Sequence, residues 1–426
     1  MGEHKRWSRL DNAAKIFPPT STNRDTKVFR FVCEMAEPVD SVILQHALER
    51  TIQEFPFYRS VLKKGLFWHY FEESSIHPQV AEETLPVCSP IYNADRSDLL
   101  FRVLYFGQRI NFEVFHALAD GNGAMQFLRT MVFYYLAEKH AIPEQLTDYD
   151  ASRDQKSLDA FYKYFDKTGA IPKTKRSRAY RIRGEYLPDH RIGIIEGFLS
   201  TKAALQKAHE NGATLSEFLI ALLISSIYEG MAVRDRARPV IVTVPVDLRR
   251  FFPAQTARNF FGVIQIKHHF PKDGQAFGQI LASVQESFRQ QLTQETLHGI
   301  ISRYSHLENN HFIKAIPLQV KIPFLRMTGL RADGEDTVAF SNIGRVSMPA
   351  EAAKHIRFFS VFLSTKRPQM CLCSFGDTLA ISVSSPFEDS GIQRHFFRQL
   401  VEMGISVQVV SNLEQQSGEE TAYASM

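Results

Sequence analysis

The sequence predicts an α+β protein built from two similar lobes. Each half of the 426-residue chain contains several strand-like runs and long helical patterns, and their order lacks the strict βαβ alternation of a parallel sheet. A basic stretch rich in glycine and proline separates the two halves. We therefore place a first lobe at residues 1–165, a crossover linker at 166–190 and a second lobe at 191–426.

The composition is that of an ordinary globular protein, with 44% hydrophobic and 23% charged residues. The net charge of +4 is too small to indicate nucleic-acid binding. The longest apolar run, near Phe218 to Ile227, is too short to span a bilayer, and the first residues lack the apolar core of a secretory signal. None of the four cysteines forms a CxxC pair, although Cys371 and Cys373 are spaced to share one face of a strand. We expect a cytoplasmic monomer with reduced thiols and no metal framework.

Strands and helices follow each other clearly in the first half. The alternating run Val28–Met35 predicts a strand, and Asp40 is placed to cap the helix that follows. Two further strands, Leu99–Phe106 and Arg109–Phe115, are separated by a short turn. The apolar spacing from Ala124 to Glu138 then predicts a helix.

The second half has its own core elements. Thr214 and Glu217 have the spacing of a capping box, and the helix that they open is apolar nearly all round, which predicts a buried helix. The β-branched run Val240–Val246 predicts a central strand. Three late strands are expected to complete one sheet, and they are Arg357–Leu363, Gln369–Phe375 and Thr378–Ser384.

One stretch concentrates the chemistry of the chain. The strand Arg109–Phe115 ends at His116, and Asp120, Gly121 and Gly123 follow. A neutral imidazole with a pKa near its usual value of about 6.5 can accept a proton from an alcohol or an amine. A strand end would hold such a base on a rigid element.

The residues alone leave four interpretations of His116 and Asp120. A metal pair would need a helix and a third ligand, but glycines interrupt the segment. A Ser-His-Asp triad would need a nucleophilic serine, and the chain has no Gly-x-Ser-x-Gly elbow. A third interpretation is purely structural, with a core histidine and a turn-forming aspartate. In the fourth, His116 is a lone general base that needs no serine because the acyl group arrives as an activated thioester.

The stretch from His116 to Gly121 resembles the HxxxDG motif of CoA-dependent acyltransferases. This superfamily includes plant BAHD acyltransferases, alcohol acetyltransferases, polyketide-associated acyltransferases, chloramphenicol acetyltransferase and peptide-synthetase condensation domains. Two later segments strengthen the resemblance: Asp247-Leu-Arg249 resembles the Asp-x-Arg region of the family, and the strand Ser341–Val346 is similar to its Ser-Asn-x-Gly strand. The likeness extends from about Val28 to Met403, and the alcohol acetyltransferase-like branch is the nearest group.

The resemblance implies α/β two-layer sandwich lobes like chloramphenicol acetyltransferase, with a tunnel between them. It implies acyl-CoA, such as acetyl-CoA, as co-substrate, a small alcohol or amine as acceptor, and no bound cofactor or metal. His116 would be the general base, and Gly121 would allow a tight turn. Asp120 would pair with an arginine, for which Arg249 is the first candidate and Arg102 the second.

Further roles follow from the same resemblance. Asp247 would support the site together with Arg249, while Ser341, Asn342 and Gly344 would supply oxyanion donors or a latch. Two departures limit the likeness. Phe115 stands where condensation domains have a second histidine, and the plant DFGWG sequence is replaced.

Two other functions remain open at this point. An acidic carrier protein, docked on the basic linker, is an alternative acyl donor. The basic residues of that stretch are Lys167, Lys173, Lys175, Arg176, Arg178, Arg181 and Arg183. The other alternative is a non-catalytic acyl- or CoA-binding protein with the same fold.

Overall fold

The computed structural model describes residues 6–143, 160–164, 178–271, 274–309, 315–332 and 334–413. The α-helices in these ranges are α1 Phe17–Thr20, α2 Ser41–Glu54, α3 Gly121–His140, α4 Ala160–Lys163, α5 Thr201–Glu210, α6 Leu215–Glu229, α7 Phe277–Gln291, α8 Gln294–Asn309, α9 Leu318–Ala332, α10 Ala350–Ala353 and α11 Gly391–Glu402. The strands are β1 Trp7–Arg9, β2 Val28–Met35, β3 Ser60–Lys64, β4 His69–Glu73, β5 Val80–Glu82, β6 Phe101–Phe106, β7 Arg109–Phe115, β8 Gly193–Ser200, β9 Val240–Asp247, β10 Phe261–His268, β11 Val338–Val346, β12 Ile356–Leu363, β13 Gln369–Phe375, β14 Thr378–Ser385 and β15 Gln408–Ser411.

The first lobe is a five-stranded sheet with the strand order β12-β2-β7-β6-β5. Helices α2 and α3 pack together against it. The predicted cap is confirmed, because the Asp40 carboxylate accepts hydrogen bonds from the amides of Val42 and Ile43. Aromatic side chains fill the core, and the rings of Phe112 and Phe127 stack with their centroids 4.7 Å apart. This core fixes β7, which ends directly before His116.

The second lobe is a seven-stranded sheet with the order β10-β9-β11-β13-β14-β8-β15. Its central helix α6 opens with the predicted capping box of Thr214 and Glu217. The helix is buried along most of its length, as its all-round apolar pattern predicts. Helices α7 and α11 pack against it. Both lobes therefore have the α+β layers that the sequence predicts.

One strand departs from the predicted lobe division. β12 lies within the range predicted for the second lobe, yet it pairs antiparallel with β2 at the edge of the first sheet. The expectation that it completes one sheet with β13 and β14 is wrong. The predicted linker has residues 166–177 outside the described ranges, so its basic character is observable only from Arg178 onward.

The strand β13 joins the two cores. Cys371 and Cys373 belong to the apolar core of the first lobe, whereas Met370 and Leu372 belong to that of the second. The alternation follows from the two-residue period of a strand, and it confirms the prediction that the two thiols share a face. All four cysteines are unpaired and buried.

Two further features complete the architecture. A small sheet with the order β1-β4-β3 lies beside the first lobe. In the described part of the chain, no single helix is long and apolar enough to cross a membrane, although α5 and α6, bent by 81°, pass that test together by length and composition.

Candidate active site

His116 directly extends the pairing of β2 and β7. The last pair of that ladder joins Val28 to Phe115, and the His116 amide then donates to the Lys27 carbonyl at 2.8 Å. The chain before β2 and the chain after β7 are therefore still hydrogen-bonded to each other at His116. The backbone of the histidine is fixed by the sheet rather than by a loop.

Hydrogen bonding defines which imidazole nitrogen carries the proton. Nδ1 of His116 lies 3.2 Å from the carbonyl oxygen of Ala119. A carbonyl oxygen only accepts, so Nδ1 carries the hydrogen and donates it. In the neutral ring, the lone pair is therefore on Nε2, which is the tautomer that a general base needs.

Three phenylalanine rings surround the imidazole. Phe17 stacks on it with the centroids 4.1 Å apart, and Phe29 lies at 4.0 Å. Phe261, at the start of β10 in the second lobe, approaches to 5.5 Å. The N-terminal arm, the first sheet and the second lobe thus each contribute one wall, and the ring lies where the lobes meet.

These surroundings lower the pKa of His116 to about 3. Burial is the main cause, because the apolar walls disfavour the charged imidazolium, and the charge of Lys27 adds to the effect. Hydrogen bonds with backbone groups and with the side chain of Asn259 act in the opposite direction. His116 is therefore neutral across the physiological pH range.

The Asp120 carboxylate is saturated with donors that belong to the protein. One oxygen accepts from the Gly123 amide at 2.9 Å, which makes Asp120 the N-cap of α3. The other accepts from Arg249 Nη1 at 2.9 Å and from the Phe260 amide at 2.8 Å. A carboxylate held in this way braces the loop, and the arrangement does not favour the metal-pair or triad interpretations.

Arg249 is the centre of the connection between the lobes. Besides Asp120, it donates to Asp247 Oδ1 at 2.9 Å and to the Thr256 and Arg258 carbonyls at 2.9 and 2.5 Å. Burial by itself lowers its pKa, but the charges of Asp120 and Asp247 outweigh burial and raise it. The guanidinium is therefore a permanent cation between two carboxylates.

The second arginine candidate has a different partner. Arg102 Nε donates to Glu113 Oε2 at 2.6 Å, and the fully buried Glu113 also accepts from Arg30 at 2.7 Å. This network lies within the first sheet and does not include Asp120. The structure thus pairs Asp120 with Arg249.

The close approach of the second lobe explains both glycines after Asp120. A Cβ atom on Gly121 would lie 2.7 Å from Ile343 Cδ1, and one on Gly123 would lie 1.9 Å from the carbonyl oxygen of Ala257. Both neighbours belong to the second lobe. Gly121 is the first residue of α3 and does not adopt a left-handed φ, so the feature that the structure shows for it is its packing against Ile343.

The strand β11 approaches the loop through Ile343. The side chain of Asn342 instead donates to Ser216 Oγ at 3.0 Å and accepts from the Gly344 amide at 2.8 Å, so both of its polar atoms are engaged within the second lobe. Gly344 has a φ of 91°, at a register shift between β11 and β13. Ser341 lies two residues before Ile343 on the same strand.

Several important residues escape prediction from the sequence as site members. Asn259 is fully buried and donates to the Ala117 carbonyl at 3.2 Å, which holds the residue next to His116. Asn122 donates to Asp247 Oδ2 at 3.1 Å and forms a second polar link between the lobes. Asn122 directly follows the His116–Gly121 motif and Asn259 follows the Asp247–Arg249 segment, so their positions were the available signal.

No protein-family model and no curated protein sequence matches the chain. Solved structures match over nearly its whole length. TRI3 trichothecene 15-O-acetyltransferase from Fusarium sporotrichioides aligns with a TM-score of 0.61 and 10% identity, covering 94% of this chain and 95% of that one.

Two further structures give the same result. F. sporotrichioides TRI101, solved with coenzyme A and T-2, aligns with a TM-score of 0.64 and 11% identity over 94% of this chain and 99% of its own. The first condensation domain of the CDA synthetase aligns with a TM-score of 0.57 and 14% identity over 95% and 97%. The chain therefore has the two-lobed fold shared by these acetyltransferases and condensation domains.

Proposed function

We propose that the protein is an acyltransferase that moves an acetyl or longer acyl group from a CoA thioester to a hydroxyl group, or alternatively to an amine. The observation that carries the proposal is the state of His116: a neutral imidazole between the lobes, with Nδ1 bound to the Ala119 carbonyl and the lone pair on Nε2. The shared fold supports it, since F. sporotrichioides TRI101 was solved with coenzyme A.

The proposed reaction has two steps. Nε2 of His116 takes the proton of the acceptor hydroxyl while the oxygen attacks the thioester carbonyl, and a tetrahedral oxyanion forms. When this intermediate collapses, the C–S bond breaks and the imidazolium returns the proton to the CoA thiolate. The thioester is already activated, so the mechanism includes no covalent acyl-enzyme.

The low basicity of His116 suits a proton transfer that occurs together with bond formation. A base with a pKa of about 3 does not deprotonate a free alcohol in advance. As the new C–O bond forms, the acceptor oxygen becomes far more acidic, and the imidazole can then take the proton. The aromatic walls of Phe17, Phe29 and Phe261 favour an apolar acyl group or acceptor beside the ring.

We assign the oxyanion contact to Ser341. The side chain of Asn342 is engaged by Ser216 and Gly344, whereas Ser341 lies two residues from Ile343, which approaches Gly121. The ladder between β11 and β9 includes only Val338 and Ala339, so the strand diverges from that neighbour before Ser341. We assign Asp120, Asp247 and Arg249 to holding the loop that carries His116, and Gly344 to shaping β11.

A carrier-protein thioester is the second candidate donor. Condensation domains share the fold, and three described arginines of the linker, Arg178, Arg181 and Arg183, are exposed.

We further propose that the protein is a cytoplasmic monomer, in keeping with its four unpaired cysteines. Light scattering of the purified chain tests the monomer.

Acyl transfer to a panel of acceptors tests the proposal. The purified chain is incubated with acyl-CoAs of several lengths and with a cell extract as acceptor source, while free thiol is measured and new ester or amide masses are sought. We expect thiol release that depends on the acceptor. Release only with acyl-carrier protein would favour the second donor, and no transfer from either donor would favour a non-catalytic binding protein.

A further inference from the structure

A cluster of metal-binding side chains lies on the first lobe, on segments other than the His116 loop. Glu37, His140 and His355 each offer one ligand atom, and these atoms all lie within 4.8 Å of one another. His140 Nε2 is 2.7 Å from Glu37 Oε1. The rings of His140 and His355 stack with their centroids 3.6 Å apart and an angle of 13° between their planes.

The fold brings these residues together from three distant segments. Glu37 follows the end of β2, His140 is the last residue of α3, and His355 precedes β12. The backbone holds two of them in register, because the Ala36 amide donates to the His355 carbonyl at 2.9 Å. The cluster therefore lies where β12, which comes from the second half of the chain, enters the first sheet.

The distances suit a small divalent transition metal. Ligand atoms about 2.0–2.1 Å from a tetrahedral zinc ion lie about 3.3 Å from one another. The Glu37–His140 separation of 2.7 Å is shorter than that value, and all the separations are below 4.8 Å. The two stacked imidazole rings would have to turn apart until their nitrogens face one ion. Two imidazoles and one carboxylate are a ligand set for zinc and its neighbours, whereas magnesium and calcium prefer oxygen ligands.

We propose that Glu37, His140 and His355 form a zinc-class metal site that fastens β12 to the first lobe. An ion bound there would join the ends of β2 and α3 to the start of β12. All three residues are partly exposed, although His140 Nε2 itself is buried, so the turn of the rings would also open this nitrogen to an ion from solvent. Because the unfolded chain does not present the three ligands together, binding would stabilise the folded state.

The charge of Lys139 opposes the ion and provides a directional test. Lys139 Nζ lies 3.8 Å from Glu37 Oε2, held by the Pro38 carbonyl and the Tyr135 hydroxyl. Its positive charge repels a bound cation. Lys139→Gln should therefore bind the metal more tightly than the wild type, an effect that a merely structural cluster would not produce.

Calorimetric titration with zinc chloride, on the EDTA-treated and dialysed full chain, tests the proposal. We expect one site that is lost or weakened by roughly tenfold or more in His140→Ala and His355→Ala. Zinc at about 100 times its dissociation constant should raise the melting temperature by roughly 2–5 °C. Cobalt should give the visible spectrum of an imidazole-ligated ion, while magnesium should not bind.

A matched variant separates this site from ordinary surface histidines. His46 lies on the same lobe and contacts Glu138 at 2.8 Å, outside the cluster, so His46→Ala should leave the zinc affinity unchanged. Circular dichroism of the metal-free variants checks that they are folded. Unchanged zinc affinity in folded His140→Ala and His355→Ala, or wild-type binding weaker than about 100 µM, would overturn the proposal.

Discussion

Arg249 Nη1 lies 2.9 Å from Asp120 Oδ2, and this contact joins the second lobe to the loop that carries His116. The side chains are 9% and 6% exposed, so the pair is shielded from water. Removing Asp120 would take one of the two carboxylates from the buried guanidinium and leave Asp247 as the other. Asp120 is therefore a structural requirement of the site even though its carboxylate faces the protein.

We expect Asp120→Ala to lower the free energy of unfolding by about 3–5 kcal/mol, because it takes one of two carboxylates from the buried Arg249 and leaves two backbone amides without their acceptor. Urea unfolding measures the change. The control is Glu210→Ala, which removes an exposed pair with Lys207 and should leave the melting temperature unchanged. A stable but inactive Asp120→Ala protein would instead indicate a role in the chemistry.

The two glycines should respond differently to alanine. In Gly121→Ala, the new methyl group meets the flexible end of Ile343, so we expect a mild loss that Ile343→Val relieves. In Gly123→Ala, it meets a backbone carbonyl oxygen, which cannot move without shifting the second lobe. We expect low solubility or a melting temperature well below that of Gly121→Ala. Equal melting temperatures for the two variants would contradict this packing.

The lowered pKa of His116 predicts an unusual dependence of activity on pH. A base with the ordinary pKa of about 6.5 would lose roughly 30-fold in kcat/KM at pH 5, since only a few per cent would be neutral. With a pKa of about 3, His116 stays neutral at pH 5 and the loss should be less than about threefold. Initial rates between pH 5 and 8 measure this. An acid limb near pH 6.5 would contradict the burial of the ring.

The same shift affects stability. Between pH 6.5 and about 3, the unfolded chain binds a proton at His116 that the folded chain does not, so acidification through this window favours unfolding. Above pH 6.5 His116 is neutral in both the folded and the unfolded chain, and this loss of stability is absent. We expect His116→Gln, which cannot titrate, to lose stability less steeply on acidification. If the free energy of unfolding falls equally steeply with decreasing pH in the two proteins, this expectation is wrong.

The oxyanion assignment predicts a contrast between neighbours on β11. Ser341→Ala should lower kcat by about 10²-fold with little change in KM, the usual effect of removing one oxyanion donor. Asn342→Ala removes contacts to Ser216 and Gly344 and should lower kcat far less. Steady-state kinetics of both variants measure the difference. The reverse order would move the oxyanion contact to Asn342.

Local patterns in the sequence predicted much of the fold. The helix caps at Asp40 and Thr214 and the shared face of Cys371 and Cys373 follow from short spacings, and the structure contains all of them. Helix α9 was not predicted, because Pro323 lies inside it and interrupts the expected pattern. The pairing of β12 with β2 joins segments more than 300 residues apart, which no local pattern encodes.

The residues of the candidate site were likewise predicted only where a motif marks them. The motif indicated His116 and Asp120, and the second family segment indicated Arg249 as the partner that the structure contains. The walls of the site did not follow from the motif. Phe17 belongs to none of the sequence motifs, and its stacking on His116 depends on the path of the N-terminal arm. The buried pair of Asp11 with Arg258, 3.0 Å apart, fixes that path across a long sequence separation.

The turnover number of His116→Ala tests whether this imidazole is the general base. It is compared with the wild type at saturating acyl donor and acceptor, after circular dichroism has shown that the variant is folded. If His116 is the general base, kcat should fall by about 10²–10⁴-fold while acyl-CoA binding persists. A folded His116→Ala protein with a kcat within about threefold of the wild type would exclude His116 as the general base.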